Sequence, residues 1–265
     1  MTEIRHPHVF LISDLHLGDP AGEVDHFHSD EQLCAFLSSY LPDRTNGEAA
    51  TLIILGDFID FPRIPPRYKE LEHPTIGSTE DESVRKVMRA IKGHPLVFQG
   101  LRALIERGDQ LLLLAGNHDV DLYWPGVRSQ LASALRCEEP QLGFVHKGVL
   151  RDRGIHVQHG HQLSFENQFQ QWPPEPFRAF GGEQRLERCW GTFFMEAVYN
   201  LVEAFAPWID LVHPTWRAVL LALKYRGWDG IPPPVAAAFL AFFARFGKRV
   251  LADHLLSEDA GQGSR

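Results

Sequence analysis

Short apolar runs alternate with helical patterns over the first 160 residues of the chain. The runs HVFLIS (8–13), TLIIL (51–55) and QLLLLA (110–115) are continuous, which is typical of strands that are buried on both faces. Between them, apolar residues recur at spacings of three and four, which predicts amphipathic helices. This alternation indicates an α/β fold, a layered sandwich built around a mostly parallel sheet.

The helical spacing predicts three helices in this part of the chain. The first starts with a capping box, Ser29 to Gln32, in which the two side chains would each satisfy a free backbone amide. Its apolar face comprises Leu33, Phe36, Leu37, Tyr40 and Leu41. The second carries Val97, Leu101, Leu104 and Ile105 and ends at Gly108, and the third covers residues 126–135. Two further strands are predicted at 144–150 and 154–158, and the proline-rich stretch 62–83 is predicted to be an exposed excursion from the core.

The pattern changes after His161, and three segments follow from the change. Residues 1–161 are predicted to form the core. Residues 162–250 lack strand alternation but carry many aromatic residues at helical spacing, which predicts an inserted helical cap or lid. The chain ends on the polar residues SEDAGQGSR, and we predict that 251–265 form a disordered tail or a truncated return to the core.

Composition and charge narrow the classes of function. The 265-residue chain has a formal net charge of −8, so it has no basic field that would attract nucleic acid from a distance. Its three cysteines are widely spaced, which favours neither a disulfide framework nor a zinc ribbon. The start of the chain lacks a secretory pattern, and its apolar stretches are shorter than the roughly 20 residues that a membrane helix needs. A cytoplasmic protein that binds no nucleic acid is therefore expected.

Side chains that commonly bind metals follow the predicted strands directly. They are Asp14 and His16 after the first run, Asp57 after the second, Asn117 and His118 after the third, and His159 after residues 154–158. Each alone is weak evidence, since such residues also cap turns. Because a parallel sheet gathers the carboxyl ends of its strands at one edge, we expect these side chains to converge. Imidazole and carboxylate groups suit Mn²⁺, Fe or Zn²⁺.

Four motifs, SDLHLGD, GDFID, GNHD and HGH, occur in this order. They resemble the successive motifs of the calcineurin-like metallophosphoesterase superfamily, over about the first 160 residues. The resemblance implies hydrolysis of a phosphate ester or pyrophosphate bond by a hydroxide shared between two divalent cations, Mn²⁺ first, with Fe or Zn²⁺ as alternatives.

The same resemblance implies a role for each motif residue. Asp14 and His16 would bind one metal, Asp57 would bridge both, and Asn117 and His159 would bind the second. His118 would be the catalytic histidine, which protonates the leaving oxygen or stabilises the transition state. Asp60 would orient His118 and raise its pKa. The alternative for Asp60 is that it merely caps a turn.

Three further residues near the motifs have open interpretations. For Asp119 and Asp121, we favour a turn or N-cap position over a role in supporting the metal ligands. In an extended segment, His161 would point to the same side as His159 and would contact substrate or a metal. The alternative is that His161 is a solvated histidine.

The chain departs from the family in lacking a late Gly-His-x-His, which normally supplies one more histidine to each metal. We favour a chain that stops before this motif. The alternatives are that His161, His213 or His254 substitutes, or that the site is incomplete.

The SDLHL opening and the position of the cap also resemble the UDP-diacylglucosamine pyrophosphohydrolases of lipid A synthesis. The expected partner is therefore a phosphorylated small molecule or a lipid-linked substrate, with peripheral membrane contact through the cap. That branch has Glu where Asp60 stands and Arg where His118 stands, which weighs against it. A degenerate, non-catalytic binding module and a metal-dependent amide hydrolase remain as competing classes.

Overall fold

A computed structural model describes residues 3–21, 25–66, 75–137, 141–145, 149–152, 154–172 and 175–196. The chain divides into two compact units, Met1–Phe193 and Phe194–Arg265, and nearly all of the second lies outside the described residues. The helices predicted beyond residue 196 and the tail from residue 251 fall there too, so they stay predictions. Within the described part, no helix has the length and apolar character needed to cross a membrane.

A four-stranded parallel sheet forms the centre of the first unit. Its strands are β1 (His8–Ile12), β2 (Ala50–Leu55), β3 (Gln110–Leu114) and β4 (Leu142–Val145), hydrogen-bonded in that order. The three apolar runs are therefore strands, and the predicted α/β fold is confirmed. β1, β2 and β3 end at the same edge, so the polar residues that follow them meet there.

Successive residues of these strands point to opposite faces of the sheet, and each face has its own core. Leu52, Ile54, Leu111 and Leu113 pack on one face with helical residues such as Val87 and Leu101. Ile53, Leu112 and Leu114 pack on the other face with Leu150 and Val157. Burial on both faces explains why β2 and β3 are continuously apolar. The same expectation is wrong for β1, which is only partly buried and exposes Leu11.

The helices of the described part are α1 (Asp30–Ala35), α2 (Leu41–Arg44), α3 (Glu80–Gly93), α4 (Pro95–Glu106), α5 (Pro125–Leu135) and α6 (Trp190–Phe194). A π-helical turn, Phe36–Tyr40, joins α1 to α2. The first predicted helix thus begins where expected, but the capping box at Ser29 is wrong, because its side chain caps no amide. A capping box instead begins α3, where the Glu82 amide donates to Thr79 Oγ1 and the Thr79 amide donates to Glu82 Oε2.

Stretch 62–83 was predicted to be exposed, and this is wrong for its ends. Residues 61–64 form a buried turn with a 3-10 helix at Phe61–Arg63, and residues 76–78 are buried before α3. Residues 67–74 lie outside the described part.

Two antiparallel hairpins correct the remaining strand predictions. The predicted strand 144–150 is two strands: β4 ends at Val145, and β5 (Val149–Asp152) pairs with β6 (Ile155–Gln158) in a separate sheet. β7 (Phe177–Phe180) pairs with β8 (Glu183–Leu186) inside the segment predicted to be helical. Local spacing reports which faces are buried but not which strand pairs with which, since pairing depends on distant segments.

Candidate metal centre

The turns after β1 and β2 have backbone conformations that are rare for residues with side chains. Asp14, His16 and Asp57 have φ values of 56°, 52° and 52°, in the left-handed region. The two turns hydrogen-bond to each other: the Asp14 amide donates to the Gly56 carbonyl (3.2 Å), and the His16 amide donates to the Asp57 carbonyl (2.9 Å). Such strain persists only where the surroundings enforce it, and it aims all three side chains at the sheet edge.

Two glycines allow the ligand-bearing turns to approach one another. A Cβ on Gly116 would lie 2.1 Å from Asp57 Oδ1, and a Cβ on Gly56 would lie 2.4 Å from His159 Nδ1. Gly56 also has a φ of +83°. Close packing therefore requires a glycine at both positions, and at Gly56 the backbone conformation requires it as well.

Asp57 lies at the centre of the site. Its Oδ2 is 3.4 Å from His159 Nε2 and 3.7 Å from His16 Nε2, and its Oδ1 accepts a hydrogen bond from the His118 amide (3.0 Å). Asp14 Oδ1 lies 4.0 Å from His16 Nε2. The structure thus brings together five residues that the sequence selected.

The donor atoms form two groups that are each compact enough to hold a metal ion. One group is His16, Asp57 and His118, and the other is Asp14, Asp57 and His159; within each, the donor atoms lie within 4.8 Å of one another. Asp57 belongs to both groups. Mixed imidazole and carboxylate donors around a shared carboxylate fit a pair of divalent transition-metal ions.

His159 reaches this site from the β5–β6 hairpin rather than from the parallel sheet. Its Nδ1 lies 2.9 Å from the Leu55 carbonyl oxygen, which can only accept, so Nδ1 carries the proton and Nε2 faces Asp57. A backbone carbonyl that fixes the tautomer in this way is typical of metal-binding histidines.

Asn117 is buried beside His118. Its backbone carbonyl oxygen accepts a hydrogen bond from Thr192 Oγ1 (3.4 Å), near the start of α6. This contact links the loop after β3 to the end of the first unit.

Asp60 contacts both histidines of the neighbouring turns. Its Oδ1 is 2.9 Å from His118 Nδ1, and its Oδ2 is 3.4 Å from His16 Nδ1 and 3.0 Å from Arg63 Nε. The rings of His16 and His118 meet edge to face, with centroids 4.6 Å apart. The sequence predicts the pairing of Asp60 with His118 alone. The contact with His16 joins distant residues, and the contact with Arg63 depends on side-chain torsions, so no local pattern records either one.

The electrostatics of the site favour charged side chains despite burial. Burial opposes ionisation of Asp57 and Asp60, but the surrounding histidines hold the pKa of each carboxyl well below its usual range. Burial alone would lower the pKa of His118, yet Asp60 and Asp57 raise it to about 9. In the same way, Asp57 and the Leu55 carbonyl outweigh burial and raise the pKa of His159 to about 9.

Asp119 is a structural residue that sequence analysis undervalued. It is fully buried, and its carboxylate accepts hydrogen bonds from the amides of Gly116 (2.6 Å), Asp57 (3.2 Å) and Phe58 (2.7 Å). Burial raises the pKa of Asp119 to about 7, and Asp57 adds to the shift while the amides oppose it. Asp119 precedes a short 3-10 helix, as the turn prediction implies, but it joins the turns after β2 and β3 instead of capping that helix.

His161 is buried rather than solvated, with 6% of its surface exposed. Its ring stacks on Trp172, with centroids 4.5 Å apart and planes 5° apart, and its centroid is 5.4 Å from that of His159. Burial lowers the pKa of His161 to about 3, so the ring is neutral. The other histidines named as substitutes, His213 and His254, lie outside the described residues.

A known protein family matches the part of the chain that carries these residues. The family model of the calcineurin-like phosphoesterases matches residues 7–239, which is most of the chain and includes every motif above. No curated protein matches the chain. The strand-end motifs, the shared carboxylate and the family match agree: this chain belongs to the calcineurin-like phosphoesterase family of metal-dependent phosphoester hydrolases.

Proposed function

We propose that this enzyme hydrolyses a phosphate ester or pyrophosphate bond at a two-cation centre held by Asp14, His16, Asp57, Asn117 and His159. The observation that carries the proposal is the position of Asp57, whose Oδ2 lies 3.7 Å from His16 Nε2 and 3.4 Å from His159 Nε2, between proposed ligands of the two cations. Two divalent cations bound there would acidify a water molecule and neutralise charge on the phosphoryl oxygens.

The donor set itself favours an anionic substrate. Asp14 and Asp57 supply two negative charges, while His16, His159 and Asn117 bind metals as neutral groups. Two divalent cations would therefore be only half neutralised by the protein. The remaining positive charge attracts a phosphate group to the sheet edge.

His118 is the proposed catalytic residue on the leaving-group side. Its Nδ1 is held by Asp60, so its Nε2 is the ring nitrogen available to a substrate. Asp60 and Asp57 raise the pKa of the ring, which favours the protonated form that would donate a proton to the departing oxygen. If Asp60 were neutral, this proton would be held less firmly.

The first experiment measures hydrolysis of p-nitrophenyl phosphate, bis-p-nitrophenyl phosphate and a nucleoside diphosphate sugar, with Mn²⁺ added after chelation. We expect activity that depends on the metal. Asp57→Asn should lose activity and metal together, because the shared carboxylate charge is gone. His118→Asn should retain the metal and lose about 10²–10⁴-fold in kcat, the range for general acid catalysis.

Asp109→Asn is the matched control for these variants. Asp109 is also a fully buried carboxylate, but it lies just before β3, at the opposite end of the strand from the site. It should leave Mn²⁺ binding and kcat unchanged. Wild-type protein that binds less than one ion per chain and hydrolyses none of the substrates would instead identify a non-catalytic binding module.

A lipid-linked substrate is the second candidate, and one observation supports it. Leu163 and Phe165 lie two and four residues after His161 and are 82% and 50% exposed, although both side chains are large and apolar. They stand where the proposed cap, from residue 162, begins. If the substrate carries acyl chains, Leu163→Ser with Phe165→Ser should raise KM for an acylated nucleoside diphosphate sugar and leave KM for its deacylated form unchanged. Equal effects on both substrates would exclude this candidate.

A further inference from the structure

Arg63 is a buried arginine next to the proposed catalytic pair. It lies on the 3-10 turn that directly follows Asp60, and only 7% of its surface is exposed. Its Nε is 3.0 Å from Asp60 Oδ2, and its Nη1 contacts His26 Nε2. A guanidinium is charged at all relevant pH values, so this position gives Asp60 a permanent cationic neighbour.

The two oxygens of Asp60 have different partners. Oδ1 faces His118, whereas Oδ2 faces both His16 and Arg63. A carboxylate turns readily about its terminal torsion, and two imidazoles on their own could be served by either oxygen. The ion pair with Arg63 favours Oδ2 on the His16 side, and this leaves Oδ1 directed at His118.

The loop that carries His26 is itself fixed. Asp25 and Asp30 flank the buried ring of His94: Asp30 Oδ1 lies 3.1 Å from Nδ1 and Asp25 Oδ1 lies 3.6 Å from Nε2. The Asp25 carboxylate also accepts hydrogen bonds from the amides of Gly18 and Phe27. His26 therefore meets Arg63 from an anchored loop, and the guanidinium is held from two sides.

We propose that Arg63 is a positioning residue. It directs one oxygen of Asp60 to the proposed cation ligand His16 and leaves the other for the proposed catalytic residue His118. One guanidinium thereby sets the ring orientation of two residues with different tasks. The inference rests on the proposed function, and it adds a residue that none of the four motifs marks as functional. Partners of this kind, one bond beyond a metal ligand, typically change metal affinity or activity by about 10–100-fold when they are removed.

The test compares Arg63→Met with Arg63→Lys. We expect Arg63→Met to weaken Mn²⁺ binding, measured by titration calorimetry, and to lower kcat by about 10–100-fold each. In the Co²⁺-loaded protein, the visible absorption band should change, because the orientation of His16 changes. Arg63→Lys should recover part of both losses, since an ammonium restores the charge but not the planar geometry.

Arg107→Met is the matched control. Arg107 is paired with the buried carboxylate of Asp109, and both precede β3, away from the site. This variant should lose stability without any change in Mn²⁺ affinity, Co²⁺ spectrum or kcat. If Arg63→Met folds and also matches wild type in all three measurements, Arg63 is not a positioning residue. If Arg63→Met does not fold, Arg63→Lys decides by the same measurements.

A double-mutant cycle shows whether Arg63 acts through Asp60. With Asp60→Asn already present, adding Arg63→Met should cause little further loss of kcat or Mn²⁺ affinity. Fully additive losses would overturn the inference. A wild-type enzyme without hydrolytic activity would refute the proposed function instead, while the calorimetric and Co²⁺ measurements would still test Arg63.

Discussion

The buried Asp119 carboxylate provides the sharpest test of how this site is built. It joins the turn that carries Asp57 to the turn that carries Asn117 through three amide hydrogen bonds. Asp119→Ala removes the acceptor of all three. A buried amide without a partner costs about 1–3 kcal/mol. The three losses share one small space and are not fully additive, so we expect a cost of about 3–6 kcal/mol.

Asp119→Asn separates geometry from the loss of an acceptor. Its amide oxygen can keep the two bonds of Oδ1, to Gly116 and Asp57, while its NH₂ group faces the Phe58 amide, so one bond is lost. The lost bond costs about 1–3 kcal/mol, and removal of the charge, which burial and Asp57 disfavour, offsets part of that cost. Asp119→Ala should therefore lower the free energy of unfolding more than Asp119→Asn does.

Urea unfolding followed by circular dichroism measures these costs. The protein should be free of metal, so that cation binding does not contribute, and at pH 8, so that Asp119 is charged. Asp109→Asn is again the control: it perturbs a buried carboxylate that accepts the Ala50 amide (2.7 Å), about 16 Å away along β3. Both sites should affect stability, but only Asp119 variants should also weaken Mn²⁺ binding. If the free energy of unfolding of Asp119→Ala lies within about 0.5 kcal/mol of the wild-type value, the loss of these three hydrogen bonds does not carry the expected cost.

Three further predictions follow from the geometry. The pKa of His159 is raised to about 9, so below that pH a cation must displace a proton from its ring. Calorimetry should therefore show Mn²⁺ affinity rising by up to about tenfold per pH unit between pH 6 and 8. An affinity that does not change with pH would contradict this. Gly116→Ala places a Cβ 2.1 Å from Asp57 Oδ1 and should weaken Mn²⁺ binding by about 10–100-fold. The control is Gly108→Ala, where φ is +99° and no atom lies within 4 Å of the added Cβ. It should lower stability and leave Mn²⁺ binding unchanged. Thr79→Ala removes the cap of α3 and should cost about 1 kcal/mol in urea unfolding, with metal affinity unchanged.

The central sheet could be predicted because its signal is local. β2 and β3 are buried on both faces, and each therefore leaves an unbroken apolar run in the sequence. β1 has an equally apolar run but is only partly buried, with Leu11 45% exposed. The helices α4 and α5 were predictable for a similar reason, since one apolar face recurs at helical spacing. By contrast, α3 starts in a charged, proline-rich region, and the β7–β8 hairpin alternates too weakly to stand out among aromatic residues.

The candidate site divides in the same way. Asp14, Asp57 and Asn117 were predicted because each follows a strand of one parallel sheet, where topology alone brings strand ends together. His159 was selected by the resemblance of its motif, but its expected position in that sheet was wrong, since a separate hairpin carries it.

The amino-acid sequence by itself therefore determined the α/β class, the three central strands and the residue types placed at their ends. Only the tertiary structure decided that Asp57 is shared by two donor groups, that Asp119 joins two turns and that Arg63 holds Asp60. The physical reason is range: burial and strand-end position are written in neighbouring residues, whereas these contacts join residues as far apart in the chain as Asp57 and His159 or depend on torsions that no local pattern records.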